Sequence, residues 1–277
     1  MSVFVAEELS EVLNTKVVIG RINMGLLNRI IIDDVLLDDQ SGQEMLKVTR
    51  LSAKFDIMPF FKGKISISSV QLFGFNINLR KETPDSPPNF KFVLDAFASK
   101  DTVKKENSLD LRINSILIRR GRMSYHVLSE EETPGKFNAK HIQLQNIIAN
   151  ISLKALSKDS LNLGIKRLSL DEKASGFSLK KMSLKLVANN KQTNIDNFTI
   201  ELPETSLKLD TIHLEYDSLK AFDRFTEQVH FSFRTLPSQV TLKDISPFVP
   251  ILSHFKEPVT LDMEVKGTVD QLTCSHL

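Results

Sequence analysis

The sequence predicts an all-β protein, mainly antiparallel, with a short N-terminal helix and one or two small helical insertions. Apolar and polar residues alternate along many segments, for example at Phe75, Ile77 and Leu79 or at Phe231 and Phe233. This alternation places the apolar side chains on one face of an extended strand. The residues between them are polar, whereas parallel strands are normally apolar on both faces. The helical crossovers of an α/β fold are also missing from the sequence.

The composition describes a folded chain with no preference for nucleic acid. Of its 277 residues, 41% are hydrophobic and 25% are charged, which is ordinary for a globular protein and unlike a disordered one. The 36 basic and 34 acidic residues are interspersed, so no basic field exists to hold a phosphate backbone. The single cysteine, Cys274, allows no intrachain disulfide and no cysteine metal site.

Helical spacing is confined to three short segments. At the N-terminus, apolar residues recur at helical spacing over residues 5–13, and Asn14 follows as a stop signal. Spacings of three and four recur over residues 93–97 and 245–252, and in the second segment Ser246 is a candidate cap with Pro247 at the first helical position. Residues 82–89 and 129–135 have the composition of polar loops.

A second pattern repeats along the strands: two alternating apolar positions, two polar residues, then two more alternating apolar positions. A β-bulge at the polar pair would keep all four apolar side chains on one face, so the sheet is expected to be strongly twisted and bulged. The alternative is a tight turn at the polar pair. The strict copies are Leu46, Val48, Leu51, Ala53; Ile65, Ile67, Val70, Leu72; Leu163, Ile165, Leu168, Leu170; Phe177, Leu179, Met182, Leu184; and Leu207, Leu209, Ile212, Leu214, with looser copies from Ile30, Leu111 and Ile142.

Residues 16–80 resemble the N-terminal region of AsmA-like and TamB-like proteins. Residues 109–125 are similar to the recurring strand pair of that family around an Arg-Gly turn, and residues 240–269 to its short helix followed by a Gly-Thr-Val strand. The matching elements of the first segment are a strand ending at Gly20, the corner Leu26-Leu27-Asn28-Arg29, the strand from Ile31 to Leu37, the acidic turn through Asp38, Asp39 and Gly42, the strand from Leu46, and Pro59-Phe60-Phe61-Lys62-Gly63-Lys64 before Ile65.

The resemblance implies a repeating β-groove protein of the cell envelope that conducts lipid between two membranes. It implies an amphipathic helix over residues 1–15 that follows a transmembrane anchor, then a continuous β-groove region over 16–277 that continues in a longer protein. The expected location is the periplasmic side of the bacterial inner membrane. The expected partners are phospholipid acyl chains and an outer-membrane assembly protein, because TamB-like members take part in translocation and assembly of outer-membrane proteins.

The repeated pattern supplies the candidate residues of the groove. An apolar stripe left open on a sheet must be covered by a ligand or a partner. Acyl chains gain roughly 0.8 kcal/mol for each methylene removed from water, without directional contacts. The lipid-groove candidates are Ile65, Ile67, Val70, Leu72, Leu111, Ile113, Ile116, Ile118, Leu163, Ile165, Leu168 and Leu170.

The polar residues suggest no catalytic or cofactor site. The pairs Asp33-Asp34 and Asp38-Asp39 lack the ligand spacing of a calcium loop and are interpreted as solvated turns. His126 and His141 have no second histidine three or four residues away and are interpreted as surface residues that form no metal pair. The run 130–132 of three glutamates is interpreted as a solvated loop.

Arg119, Arg120 and Arg122 flank Gly121, and charges beside a turn explain them better than headgroup binding. No Gly-rich phosphate cradle follows any strand, and no Gly-x-Ser-x-Gly elbow occurs. The sequence therefore predicts no enzyme, no metal and no cofactor. The alternative function is a binding or adhesion module made as a closed β-sandwich, in which two apolar faces cover each other.

Overall fold

The computed structural model describes residues 2–26, 28–55, 67–98, 114–156 and 160–276. Its strands form one mixed sheet of fifteen strands that does not close on itself. The predicted all-β class and the N-terminal helix are therefore confirmed. The strands are β1 Val17–Gly25, β2 Arg29–Asp38, β3 Glu44–Phe55, β4 Ile67–Lys81, β5 Ser115–Val127, β6 His141–Leu156, β7 Ser160–Glu172, β8 Ser178–Asn189, β9 Gln192–Glu201, β10 Ser206–Glu215, β11 His230–Thr235, β12 Ser238–Thr241, β13 Pro258–Leu261, β14 Met263–Thr268 and β15 Gln271–His276.

Short helices lie before and between the strands. Within the described part of the chain they outnumber the one or two insertions that the sequence predicts. The segment around Pro247 was expected to open a helix there, but the two turns of this region are separate and Pro247 lies between them. The helices are α1 Ser2–Leu13, α2 Lys91–Ala98 and α3 Phe225–Gln228, and the 3-10 helices are Leu219–Arg224, Leu242–Ile245 and Pro250–His254.

The chain divides into two compact units, and the first comprises Met1–Ile148 and Asp171–Gly176. In this unit β1 to β4 pair antiparallel in chain order. β5 then pairs with β4 in parallel, with Val70 opposite Ile116. Parallel neighbours need a crossover connection, and α2 lies in the chain segment between these two strands. The prediction of a mainly antiparallel sheet holds, with this one exception among the pairs described.

Helix α1 is held on the first strands of unit 1 by packing and by one serine. Ala6 is buried in a cluster with Val17, Ile19, Leu37 and Met45. The Ser10 hydroxyl donates a hydrogen bond to the Ala6 carbonyl at 2.7 Å and accepts one from the Val17 amide at 3.0 Å. The helix ends where Asn14 takes a left-handed φ of +49°, which supports the predicted stop.

The second unit comprises Ala149–Leu170 and Phe177–Leu277. β8, β9, β10, β11, β14 and β15 pair antiparallel in that order, and β12 pairs with both β10 and β13. The 3-10 helix Leu219–Arg224 covers one end of β10, where Tyr216, Ala221 and Val229 form a buried cluster. Val229 has no exposed surface.

The chain stays in strand conformation at several positions where the sequence suggested a turn or a strand end. The polar pairs of all five strict repeats lie inside single strands, so the tight-turn interpretation of the repeat is wrong. The expected Arg-Gly turn is also wrong, because Gly121 lies in the middle of β5. β1 runs on through Gly20, where the resemblance placed its end. The acidic turn at Asp39 and Gly42 is confirmed between β2 and β3, and residues 82–89 and 129–135 are loops as predicted.

Candidate functional site

Apolar residues stand opposite one another across the first five strands of unit 1. Residues paired directly across neighbouring strands point to the same face of a sheet. The register therefore defines rows of side chains that share a face. One row is Ile22, Ile32, Leu51, Leu72 and Ile118, and the next is Met24, Ile30, Ala53, Val70 and Ile116.

Two further apolar rows cross the other half of the same strands. Phe75 and Val48 of these rows are buried, and Val17 and Leu37 belong to the cluster under helix α1. The rows are Val17, Leu37, Leu46, Ile77 and Met123, and Ile19, Val35, Val48 and Phe75, which ends beside Gly121 of β5.

The two pairs of apolar rows lie on the same face of the sheet, although regular alternation along each strand would place them on opposite faces. Ile19 and Ile22, or Ile32 and Leu37, are an odd number of residues apart and would point to opposite faces of a regular strand. In the structure Ile22 and Ile32 pack against the same buried cluster that contains Ile19 and Leu37. All four rows therefore form one continuous apolar face, which we call the apolar face of unit 1.

Single residues with left-handed backbone conformation lie between the two pairs of rows. Each of them shifts the alternation of side chains between the two faces of its strand. Asp34 in β2, Gly74 in β4 and Arg120 in β5 have φ of +56°, +64° and +56°. Each lies between the two apolar halves of its strand. The register places Thr49 of β3 between Asp34 and Gly74, and its hydroxyl donates a hydrogen bond to the Gly74 carbonyl at 3.1 Å. A side chain on Gly74 would collide with Thr49, because a Cβ there would lie 2.7 Å from that hydroxyl.

Unit 2 contains a true bulge at one of the predicted polar pairs. The register of β10 against β11 shifts between Leu209 and Ile212, so Asp210 and Thr211 absorb the extra residue. The shift keeps the apolar residues on both sides of the bulge on one face. A long apolar row follows from the pairing beyond the bulge: Leu186, Ile195, Ile212, Phe233, Val265 and Cys274. The rings of Phe231 and Phe233 stack with centroids 6.1 Å apart.

The groove candidates fall into three groups. In unit 1, Val70, Leu72, Ile116 and Ile118 lie together on the apolar face, and Ile67 pairs with Phe55 at the end of β4; all five are half-buried. In unit 2, Leu163, Ile165, Leu168 and Leu170 are half-buried along β7, while the polar pair between them is exposed. Ile65, Leu111 and Ile113 lie outside the described residues. That these residues line a lipid groove stays a prediction.

The opposite face of unit 1 carries charge. Arg21, Asp33, Arg50, Phe73 and Arg119 form a row by register. Arg50 Nε donates to Asp33 at 2.6 Å, and this hydrogen bond holds the pKa of the buried Asp33 carboxyl below its usual range. The Arg120 guanidinium lies 5.1 Å from the centre of the Phe73 ring, a cation–π distance. The expectation that Asp33 belongs to a solvated turn is wrong.

Asp39 is also buried rather than solvated, with 2% of its surface exposed. One carboxylate oxygen accepts hydrogen bonds from the amide and hydroxyl of Ser41 and from the Gln43 amide. The other contacts Arg80 at 2.7 Å and Asn89 at 3.1 Å. Burial alone would raise the pKa of Asp39, but the hydrogen bonds outweigh it and hold the pKa below its usual value. Its oxygens are therefore committed to the protein, and the turn needs no cation.

Glu172 repeats this arrangement at the end of β7. Its carboxylate accepts hydrogen bonds from the amides of Gln143 at 2.9 Å and Ser175 at 2.6 Å. Burial acts to raise the pKa of Glu172, and the hydrogen bonds lower it below its usual value. Sequence reasoning did not single out Glu172, because a lone glutamate before a turn is common on protein surfaces.

His126 and His141, expected to be unrelated surface residues, are in direct contact. Their Nδ1 atoms lie 3.0 Å apart. His141 is buried at the start of β6 and contacts the Glu130 carbonyl through Nε2 at 2.9 Å. The Glu132 carboxylate, in the loop between β5 and β6, lies within 4.8 Å of both imidazoles. Glu132 is exposed in a loop, as the sequence predicts, but its carboxylate lies beside this histidine pair.

Comparison with known proteins adds no family to this description. No protein-family model matches the chain, and no curated protein matches it either. Among the described residues, no helix has both the length and the apolar character required to span a bilayer.

Proposed function

We propose that this chain is a non-enzymatic lipid-binding protein that holds phospholipid acyl chains on the apolar face of its sheet. The observation that carries the proposal is the alignment of apolar rows across five consecutive strands, kept on one face by the left-handed residues. A protein that needs only a buried core has no reason to extend such rows to half-exposed positions such as Val70, Leu72, Ile116 and Ile118.

The dimensions of the face suit an extended hydrocarbon chain. Five strands spaced about 4.8 Å apart make a row that crosses all of them roughly 19 Å long. Every methylene that leaves water for this surface contributes roughly 0.8 kcal/mol. A lipid headgroup has no partner to meet among these aliphatic side chains, so it stays in solvent while the acyl chain lies along the rows.

The resemblance of residues 16–80 to AsmA-like and TamB-like proteins supports a place in the cell envelope. The proposed role is that of a membrane-proximal segment of a lipid conduit between inner and outer membranes, on the periplasmic side of the inner membrane. A contribution to outer-membrane protein assembly belongs to the same proposal. The closed β-sandwich alternative is less well supported, because the sheet is single and does not close.

Lipid extraction and probe binding test the proposal. The protein purified from an envelope-containing host should carry phospholipid or fatty acid detectable by mass spectrometry, and after delipidation it should bind a fluorescent fatty acid. Leu72→Glu should weaken probe binding on the order of tenfold, equivalent to losing contact with about two methylenes. Gln71→Glu, one residue away in the row of Ser52 and Leu117, is the matched control and should bind as the unaltered protein does. Lipid-free protein that binds no probe would overturn the proposal.

A further inference from the structure

A second site lies away from the apolar face, where the end of β5, the start of β6 and the loop between them meet. Two imidazoles and one carboxylate converge there, from His126, His141 and Glu132, with all three ligand atoms within 4.8 Å of one another. Imidazole nitrogen and carboxylate oxygen are the ligand types that bind Zn²⁺ and neighbouring transition-metal ions.

The hydrogen bonds of His141 orient its Nδ1 toward His126, where an ion between the two rings would meet it. Its Nε2 can bond the Glu130 carbonyl, 2.9 Å away, only as an N–H donor. In the neutral imidazole the Nδ1 atom of His141 then carries a lone pair, and it points at Nδ1 of His126, 3.0 Å away. A histidine ligand that donates its other N–H to a backbone carbonyl is the usual arrangement at metal sites, because that bond fixes the tautomer and the ring orientation.

The loop that carries Glu132 is ordered by its own contacts. The Asn138 side chain donates to the Glu131 carbonyl at 3.1 Å, and the Val127 amide donates to the Lys140 carbonyl at 2.9 Å. Lys140 pairs with the Glu130 carboxylate at 2.6 Å, so Lys140 neutralises Glu130 and not Glu132. The loop backbone that carries Glu132 is therefore ordered before any ion arrives, which lowers the cost of binding, and only the Glu132 side chain has to adjust.

We propose that His126, Glu132 and His141 hold one Zn²⁺ ion, with Nδ1 of each histidine and a carboxylate oxygen as ligands and water in the fourth position. Tetrahedral zinc with bonds of about 2.0–2.1 Å places its ligand atoms about 3.3 Å apart. The two nitrogens are already near this separation, and the exposed Glu132 side chain reaches it by a rotamer change. The His126 proton moves from Nδ1 to Nε2 as the ion enters. The ion ties the end of β5 to the start of β6 across their loop.

The test uses the full chain after treatment with a chelator. Titration against a chromophoric zinc indicator should show one Zn²⁺ bound per chain, and Co²⁺ in its place should give the absorption bands of a tetrahedral site. Zn²⁺ should raise the melting temperature. Glu132→Gln, at an exposed position, should keep the fold and weaken binding on the order of tenfold or more, and His126→Gln should do the same.

His254→Gln is the control, because this histidine lies in the 3-10 helix Pro250–His254 of unit 2. It should bind Zn²⁺ as the unaltered protein does. The proposal is overturned if no stoichiometric Zn²⁺ binds, which would leave a simple hydrogen bond between the two histidines. It is equally overturned if Glu132→Gln and His126→Gln bind with unchanged affinity. Circular dichroism of each variant separates loss of the site from loss of the fold.

Discussion

The Phe75 ring packs directly on the backbone of Gly121 in the neighbouring parallel strand. A Cβ built on Gly121 would lie 2.4 Å from two carbons of that ring and 3.0 Å from the Cβ of Ile147. Phe75 is buried at this point. The glycine is therefore required by close packing in the middle of β5, and the arginines beside it lie within this strand rather than at a turn.

Gly121→Ala should destabilise the protein by about 1–3 kcal/mol, the usual effect of overfilling a packed site. The reason is that the ring of Phe75 must move, and Ile147 blocks the other side. Gly164→Ala is a suitable comparison, because its new Cβ would come too close only to the Ser152 hydroxyl, at 2.8 Å, which can rotate away, while the Leu184 carbonyl at 4.0 Å is an ordinary contact. Urea denaturation measures the free energy of unfolding of both variants. Equal losses for the two variants would contradict the packing described for Gly121.

Asp34 should tolerate glycine and reject a β-branched residue. Its φ of +56° is left-handed, a conformation that costs most L-residues roughly 1–2 kcal/mol and glycine little. Asp34→Val should therefore lower the free energy of unfolding by about that amount, whereas Asp34→Gly should leave it unchanged or raise it slightly. Chemical denaturation of the two variants gives the comparison. If Asp34→Val were as stable as the unaltered protein, the side-chain alternation of β2 would not depend on a left-handed residue at this position.

Asp39 should make the fold sensitive to acid. Its folded-state pKa is held below the unfolded value of about 4, so its stabilisation is complete above that pH and is lost as the pH falls through the folded pKa. Asp39→Asn leaves Arg80 without its carboxylate and should cost about 1–3 kcal/mol at neutral pH. The difference in melting temperature from the unaltered protein should shrink below about pH 4. Asp85→Asn, in the exposed loop, should melt as the unaltered protein does at each pH.

A charged side chain on the apolar face of unit 1 should cost little stability at positions that protein atoms do not cover. Ile118 is half-buried, and a carboxylate there can keep part of its hydration if the face holds lipid. Ile118→Asp should therefore melt near the unaltered protein while losing fatty-acid binding. Val48→Asp, in a neighbouring row of the same face but buried, should lose several kcal/mol because the charge has no partner. Comparable collapse of both variants would indicate a closed protein core at Ile118.

Much of the fold follows from local patterns in the sequence. Alternation locates the strands, and the helical spacing before Asn14 locates α1, because both depend on neighbours along the chain. The repeat of two apolar, two polar and two apolar positions predicts a change of phase at the polar pair. In β10 a β-bulge at the polar pair shifts the alternation of side chains. At the polar pair that begins with Thr49 in β3, the neighbouring strands β2 and β4 each have one left-handed residue, Asp34 and Gly74.

Features that depend on distant residues were not predictable in this way. His126 and His141 meet because β5 and β6 are neighbours in the sheet, and their spacing of fifteen residues matches no local metal pattern. The burial of Asp33 and Asp39 depends on Arg50 and Arg80 from other strands. The parallel pairing of β4 and β5 depends on the long connection between them, and periodicity does not reveal the direction in which two such strands pair.

The central claim is tested most directly by photo-crosslinking along a single strand. A photoreactive amino acid placed in turn at Val70, Gln71, Leu72 and Phe73 of β4 reports which face of the strand meets lipid in the purified, lipid-loaded protein. The register puts Val70 and Leu72 in apolar rows and Phe73 in the charged row. We expect crosslinks to phospholipid at Val70 and Leu72 and none at Gln71 and Phe73. Crosslinks of equal yield at all four positions, or none at Val70 and Leu72, would contradict the account.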